Sequence, residues 1–317
     1  MISRFLGTLA FVPVVFCLLT TGNSALALSL TLFDSVSGMV LIEKEQHKKL
    51  NPGDFVQLMT LYTALRLTDG KDRLSLTVTV PESNIAARQN ARRLYLRAGQ
   101  TVSFNGLIKA VAVTNAEEAC HVLAGTNGLN TREFVEKMNF YAAEAGMKNS
   151  LFTSPVTAPG QVSSAYDLAL LTQEIRTRYP DIFALFSEKT FSFAGNNQRN
   201  RNLLLWRGDD IDGVMSNKTS TAFIASSVHK KITADTERRL IAVYLPDRNA
   251  RTDVSINQVL TLFRKGRADF ETIRLFTAGT PVSALEVLGG NRNRLEVAAD
   301  KDIWVSIDRA KLAARGT

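Results

Sequence analysis

Leu50-Asn51-Pro52-Gly53-Asp54-Phe55-Val56-Gln57-Leu58-Met59-Thr60-Leu61-Tyr62 is the stretch on which the reading of the whole chain turns. It opens as a helix opens. Asn51 offers a side-chain oxygen to orphan N–H groups, and Pro52 suits the first helical position, where its missing N–H costs nothing. Phe55, Leu58, Met59 and Tyr62 then recur at helical spacing, which predicts one face turned into a core. Asp54 lies in the first turn, where the helix dipole stabilises an anion by roughly 0.3–1 kcal/mol.

Upstream, Arg4 and the apolar run Phe5–Leu19, followed by Ala25-Leu26-Ala27, have the layout of a cleaved secretory signal, residues 1–27. The run is short for a bilayer span, and Thr20–Ser24 interrupt it. Phe16 before Cys17 is too bulky for a lipid-attachment site, and no later stretch is apolar and long enough to cross a membrane. Export to the periplasm or cell envelope is therefore expected. Removing the segment takes only Arg4 from a formal net charge of +8, an excess that favours loose association with anionic polymers or lipid surfaces. The basic pairs Lys48-Lys49, Arg92-Arg93, Lys230-Lys231 and Arg238-Arg239 are scattered and read as solvated turns, with no nucleic-acid site. Cys120 is then the only cysteine, so no intramolecular disulfide forms; His47, His121 and His229 lack ligand spacing, and no metal or cofactor is expected.

With 45% hydrophobic and 21% charged residues the chain is globular in composition. Leu28–Phe33 and Met39–Glu43 flank a turn and predict a hairpin; a helix then runs from Asn51 to about Asp69-Gly70. Leu74–Val80 reads as a strand, Asn84–Arg93 as irregular and Leu94–Leu96 as a short strand. Helices follow: Phe104–Thr114 capped by Ser103, Glu117–Ala124, one opened by an Asn130/Glu133 capping box and ended by Gly146, one opened by Ser164-x-x-Asp167 and running to Ile175, and a short one from Pro180. Lys189–Ala194 is a strand, Gly195–Asn202 a polar loop, and Phe223–Val228 and Arg239–Leu245 adjacent strands before a helix over Val254–Lys265. This order suits an α/β (α+β) sheet covered by helices. Short strands at Ile273–Phe276, Ala284–Val287, Arg294–Val297 and Ile303–Ile307 predict a boundary near residue 270, with 28–270 as the main domain and 271–317 as a partial β-rich one.

The chain also resembles the serine D-Ala-D-Ala carboxypeptidases, the low-molecular-mass penicillin-binding proteins. In them the opening stretch reads Asp-Pro-Ala-Ser-Leu-Thr-Lys-Met-Met-Thr. The resemblance continues through Asp34-x-x-Ser37-Gly38-x-Val40-Leu41, Lys109–Ala124, Gly146-Met147-Lys148-Asn149-Ser150 and Ala158-Pro159-Gly160-Gln161 with Ser164. It extends to Lys189-Thr190-Phe191-Ser192-Phe193, Asn200-Arg201-Asn202 with Leu205-Trp206, and Asp212-Gly213. It implies a β-lactamase/transpeptidase-like fold, peptidoglycan as partner, and a mechanism of dependent parts. A helix-start serine attacks the penultimate D-alanine carbonyl and a lysine at i+3 takes its proton. A Ser-x-Asn relays protons, a Lys-Thr-Gly on the edge strand binds the terminal carboxylate, and backbone N–H groups stabilise the oxyanion.

At each of those places this sequence departs. Asp54 and Gln57 stand where the serine and lysine belong, Asn115-Ala116-Glu117 replaces Ser-x-Asn, and Met215-Ser216-Asn217 replaces Lys-Thr-Gly. A shifted alignment would put the last motif on Lys218-Thr219-Ser220; the apolar alternation around it favours the unshifted register. The loop at Ser154-Pro155-Val156-Thr157 is shortened. Gln57 is no base, since a carboxamide takes up no proton near neutral pH. Asp54 attacking an amide would have to form an anhydride unaided. Cys120 has no histidine placed to activate it and reads as a small core residue. The expectation is an exported pseudoenzyme linked to peptidoglycan or a cell-envelope protein, with a binding or scaffolding role. Three alternatives stand beside it: an active peptidase with a divergent site using Lys218-Thr219-Ser220; a new acid/base or cation role for Asp54 and Glu117; and a duplicate with no selected role.

Overall fold

The computed structural model describes residues 27–73, 75–81, 94–208, 210–234, 236–246, 250–286 and 294–314; the expected signal segment up to residue 26 and the stretch Asn84–Arg93 lie outside the described residues, and Ala27, its expected last residue, begins the first strand. The opening hairpin is β1 (Ala27–Asp34) and β2 (Met39–Lys44), followed by helix α1 (Val56–Leu67). Strands β3 (Thr77–Thr79) and β4 (Thr101–Ser103) lead to the helical block α2 (Phe104–Thr114), α3 (Glu117–Ala124), α4 (Thr131–Glu144), α5 (Ala165–Arg178) and α6 (Pro180–Leu185). The hairpin β5 (Thr190–Phe193) and β6 (Asn196–Arg199) precedes β7 (Ile211–Ser216), β8 (Phe223–Lys231), β9 (Glu237–Pro246) and α7 (Thr252–Asp269). The last elements are β10 (Phe270–Phe276), β11 (Pro281–Glu286), β12 (Arg294–Ala298), β13 (Ile303–Asp308) and α8 (Arg309–Ala314).

Five strands in the order β2-β1-β9-β8-β7 form one antiparallel sheet. Its period-2 alternation separates two cores. On β9, Leu240, Ala242 and Tyr244 join Leu32, Phe223 and the α7 residues Ile256, Val259 and Phe263, while Ile241, Val243 and Leu245 join the helical block. Gly266 explains how α7 comes so close. A Cβ there would stand 2.5 Å from Leu32 Cδ2 and 2.9 Å from Leu240 Cδ1, so only the glycine lets the helix settle on the sheet.

Helix α1 was expected to bury one face. It is buried all round, from Val56 through Leu65, with Gln57, Thr60 and Thr63 inside as well. The reason is its position: α2, α3, α4 and α5 all pack against it, so it has no solvent side. Thr60 satisfies its hydroxyl by donating to the carbonyl of Pro155 at 2.6 Å.

Most caps stand where the sequence puts them. Ser103 Oγ accepts from Gly106 N, and Asn130 and Glu133 form the reciprocal box. Ser164 accepts from Asp167 N, and the Asp167 carboxylate accepts from Asn149 N and Ser150 Oγ, which carries its reach to the α4–α5 connection. The expected strand Leu94–Leu96 does not form. Leu94 N and Leu96 N instead donate to the Glu118 carboxylate at 2.9 and 3.3 Å, so a side chain takes what a ladder would have used. Within the expected loop Gly195–Asn202, Asn196–Arg199 pairs with β5. Positive φ at both Ala194 and Gly195 makes the tight two-residue hairpin turn, and the polar run Asn-Asn-Gln-Arg hides the strand from hydrophobic patterning.

The pair Arg238-Arg239 corrects the solvated-turn reading. Both residues lie on β9, and Arg238 is fully buried, its Nε donating to Asp34 Oδ2 at 3.0 Å and its Nη2 to Gly266 O at 3.1 Å. Thr272 Oγ1 donates to the same Asp34 oxygen at 2.6 Å, so one carboxylate ties β1, β9 and β10 together. Beyond α7, β10 pairs with β13 and β11 with β12 in two separate two-stranded sheets with Leu275, Leu285 and Leu295 exposed. No described helix is long and apolar enough to cross a membrane.

Candidate functional site

Four distant segments meet at the end of edge strand β7. The chain enters α1 through a 3-10 turn, Gly53–Phe55, preceded by Pro52, and the Asn51 side chain accepts from Gly53 N at 2.8 Å. This turn places Asp54 against the turn that follows β7. Asp54 Oδ2 accepts from Lys218 N at 2.7 Å, and Thr157 Oγ1 donates to Gly53 O at 2.8 Å and lies 3.4 Å from Asp54 Oδ1. Asp54 is 8% exposed, so this is a largely desolvated, charge-assisted bond.

Asn115 joins α2 to α3. Its φ of 54° and ψ of 47° lie in the left-handed region, which asparagine tolerates better than most residues. That conformation sends its amide to β7, where Nδ2 donates to Ser216 O at 2.7 Å. Ser216 O and Lys218 N are main-chain groups at the end of an edge strand, where an added peptide strand would look for partners. Side chains from the helical lobe take both.

Gln57, one turn into α1, is 1% exposed, and neither its Oε1 nor the Ser216 Oγ has a hydrogen-bond partner among the described residues. Glu117 opens α3 and is buried at 2% exposure, engaged within the fold instead of standing in an open cleft. Cys120, on the next turn, is fully buried; burial and the negative charge of Glu117 push its thiol well above the ordinary value, as befits a packing residue. Burial holds the neighbouring His121 below its ordinary value against the pull of Glu117 and Glu118.

The third segment is fixed by register. Met215 pairs with Ile224 and Ser216 with Phe223, both on the β7 ladder, while Asn217 begins a turn. Asn217 Oδ1 accepts from Thr221 N and Ala222 N, and its Nδ2 donates to the hydroxyls of Thr219 and Thr221. Lys218, Thr219 and Ser220 therefore sit on the turn, past the strand's end, with Ser220 at a positive φ of 53°. Hydrogen bonds thus bring Asp54 and Asn115 to the end of β7 beside Ser216 and Asn217, while Gln57 lies one turn into α1, Glu117 opens α3 and Met215 lies on the β7 ladder. Thr157 is the neighbour that sequence reasoning passed over; its place in a shortened loop was the only signal. Two further cations were also passed over. Arg199 and Lys189 stand over the Trp206 ring at 4.5 and 5.2 Å from its centroid.

Comparison with known proteins gives the same answer from several directions. The family model described as D-alanyl-D-alanine carboxypeptidase matches residues 20–249. The D-alanyl-D-alanine carboxypeptidase DacD of Escherichia coli K12 is 30% identical over 295 residues, covering 90% of this chain and 74% of the relative. DacA of Haemophilus influenzae is 31% identical over 290 residues, covering 88% and 72%. Among solved structures, penicillin binding protein 5 from Haemophilus influenzae superposes with a TM-score of 0.80 at 29% identity, covering 93% of this chain and 86% of that one. Penicillin binding protein 6B from Escherichia coli gives 0.74 at 28% identity, covering 93% and 88%. With this mixed sheet-and-helix fold, the chain belongs to the D-alanyl-D-alanine carboxypeptidase family.

Proposed function

We propose that this chain is an exported, peptidoglycan-linked member of its family that has given up acyl transfer and acts by binding or scaffolding in the cell envelope. Residues 1–27 serve as the signal, 28–270 form the carboxypeptidase-like domain and 271–317 a partial β-rich one. The bond from Lys218 N to Asp54 Oδ2 carries the reading. An internal carboxylate occupies a backbone donor at the end of the edge strand, where a substrate would need it, and it is not a hydroxyl nucleophile. Gln57 beside it cannot accept a proton, and no lysine stands on β7 to receive a terminal carboxylate. Buried Glu117 stands where the family's motif has an asparagine, so the side-chain amide that would hold a substrate there is gone.

The test is a fluorescent penicillin followed by intact-mass measurement of the wild-type protein. No covalent adduct is expected. An adduct would instead favour a working peptidase with a divergent nucleophile, and mapping it to the turn Lys218–Ser220 would identify the site.

A further inference from the structure

The chain beyond α7 forms a two-stranded ribbon. β10 leads into β11 and β12 into β13, so the two small sheets follow one another along the same pair of chain segments. Gly279 N donates to Ala299 O at 2.9 Å and Ala278 N to the Asp302 carboxylate at 2.8 Å, which carries the pairing across the bend between them. The root of the ribbon is docked. Thr272 and Ser306 are buried there; Thr272 bonds Asp34, and the Ser306 hydroxyl meets that of Ser37 at 2.7 Å. The far half is bare. Every residue of β12 is exposed, and in β11 only Ala284 is partly covered. Its side chains nonetheless alternate as a half-buried strand pair would. Leu285 stands opposite Leu295 and Ser283 opposite Val297 on one face, whereas Glu286, Arg294 and Glu296, the charged residues of the two strands, all lie on the other. An uncharged, mainly apolar face is therefore turned to solvent, with Leu285 and Leu295 each 55% exposed.

We propose that this face is the contact between two copies of the chain, packed ribbon to ribbon about a two-fold axis. A two-stranded ribbon is marginal in water unless a further strand or layer covers its apolar side, and no cysteine lies in this one to brace it. The face is uncharged, so it meets its own image without setting like charges against each other, as a self-complementary contact requires. An acidic or basic partner would find no opposite charge on it. The area also fits. Among the described residues, eight large apolar side chains of the ribbon are 36 to 55% exposed, including Ile273, Phe276 and Ile303 near its root, against five in all the rest. They leave on the order of 600 Å² of apolar surface per copy, beside the ~800 Å² that each partner of a standard interface buries. That is the small end of stable contacts, for which a dissociation constant on the order of 1 μM is expected. The proposal stands apart from the loss of acyl transfer, because no residue of the candidate site lies in the ribbon.

Sedimentation velocity over about 0.1 to 100 μM protein, a span that brackets such a constant, is expected to shift from monomer to dimer and to stop there. Leu285→Lys combined with Leu295→Lys sets cations against cations across the axis and is expected to weaken association by about a hundredfold or more. Val297→Glu, a single change on the same face, is expected to weaken it by about tenfold or more, and it decides the matter if the double variant loses the wild-type melting transition. Phe140→Lys with Leu151→Lys, which removes two exposed apolar side chains outside the ribbon, is expected to leave dimerisation unchanged. Hydrogen exchange at the amides of β11 and β12 should slow as wild-type concentration rises and stay constant in the Leu285/Leu295 variant. A wild type that stays monomeric to about 100 μM, open-ended growth past the dimer, or variants on this face that dimerise like the wild type overturn the proposal.

Discussion

Asp54→Ala removes the carboxylate that clamps the entry of α1 to the turn after β7. The lost bond is charge-assisted, 2.7 Å long and shielded, with Asp54 8% exposed. Bonds of this kind contribute about 1.5–3 kcal/mol, and the helix-start position adds roughly 0.3–1 kcal/mol for the anion. Lys218 itself is exposed, so its freed N–H recovers part of the loss by meeting water. A net cost of about 2–3 kcal/mol follows, felt first where the clamp acts. Since 1.4 kcal/mol is a factor of ten, hydrogen exchange at the Lys218 amide should accelerate by about 30- to 100-fold. Asp54→Asn keeps an acceptor oxygen but not the charge, so its acceleration should be about tenfold or less. The Ser220 amide, which donates to Asn217 O inside the same turn, serves as the internal control and should change little. Measurement is by native-state exchange read with mass spectrometry or NMR. If the Lys218 amide exchanges at the wild-type rate in Asp54→Ala, or equally fast in both variants, the carboxylate is not what holds the two lobes together here.

Three other perturbations test the fold around the site. Arg238→Met leaves the fully buried Asp34 with its two backbone donors and Thr272 but no cation, so unfolding in urea should show a loss of about 3–5 kcal/mol; Arg251→Met, on the surface, should stay within about 0.5 kcal/mol. Gly53 holds φ at +56° with open space where a Cβ would go, so Gly53→Ala should cost about 1 kcal/mol from backbone strain alone, read as a drop in melting temperature. His121 is held below its ordinary value of 6.5 by burial, and His229 by burial and by Arg238, Arg267, Lys230 and Arg309. For both, the unfolded chain binds the proton more readily, so their contribution is fully present above pH 6.5 and fades as pH falls below it. Melting temperature should therefore decline on acidification from pH 7.5 to 5.5, and a His121→Gln/His229→Gln variant should decline less over the same interval.

The legible features were local ones. The stripe Phe55, Leu58, Met59 and Tyr62, the caps at Ser103 and Asn130, and the strands Phe223–Val228 and Arg239–Leu245 all rest on interactions within a few residues or on one alternation. β7 was harder. A register shift falls between Ile211 and Gly213, and only the resemblance implied an edge strand there. β6 escaped because its residues are polar and its hairpin depends on two positive φ angles. The buried Arg238 looked like one of several basic pairs until Asp34, 204 residues earlier in the chain, was placed beside it.

At the site the division is just as clear. The residues alone determine that Asp54 is no hydroxyl, that Gln57 takes up no proton near neutral pH, and that Met215 carries no charge, because those are properties of side chains wherever they lie. Where those groups go was decided by tertiary structure. Asp54 reaches Lys218 N across 164 positions and Asn115 reaches Ser216 O across 101, contacts no spacing rule predicts because each depends on two lobes packing at one strand edge. Chemical capability is written residue by residue, whereas the pairing that directs it exists only once the helical block has closed on the sheet.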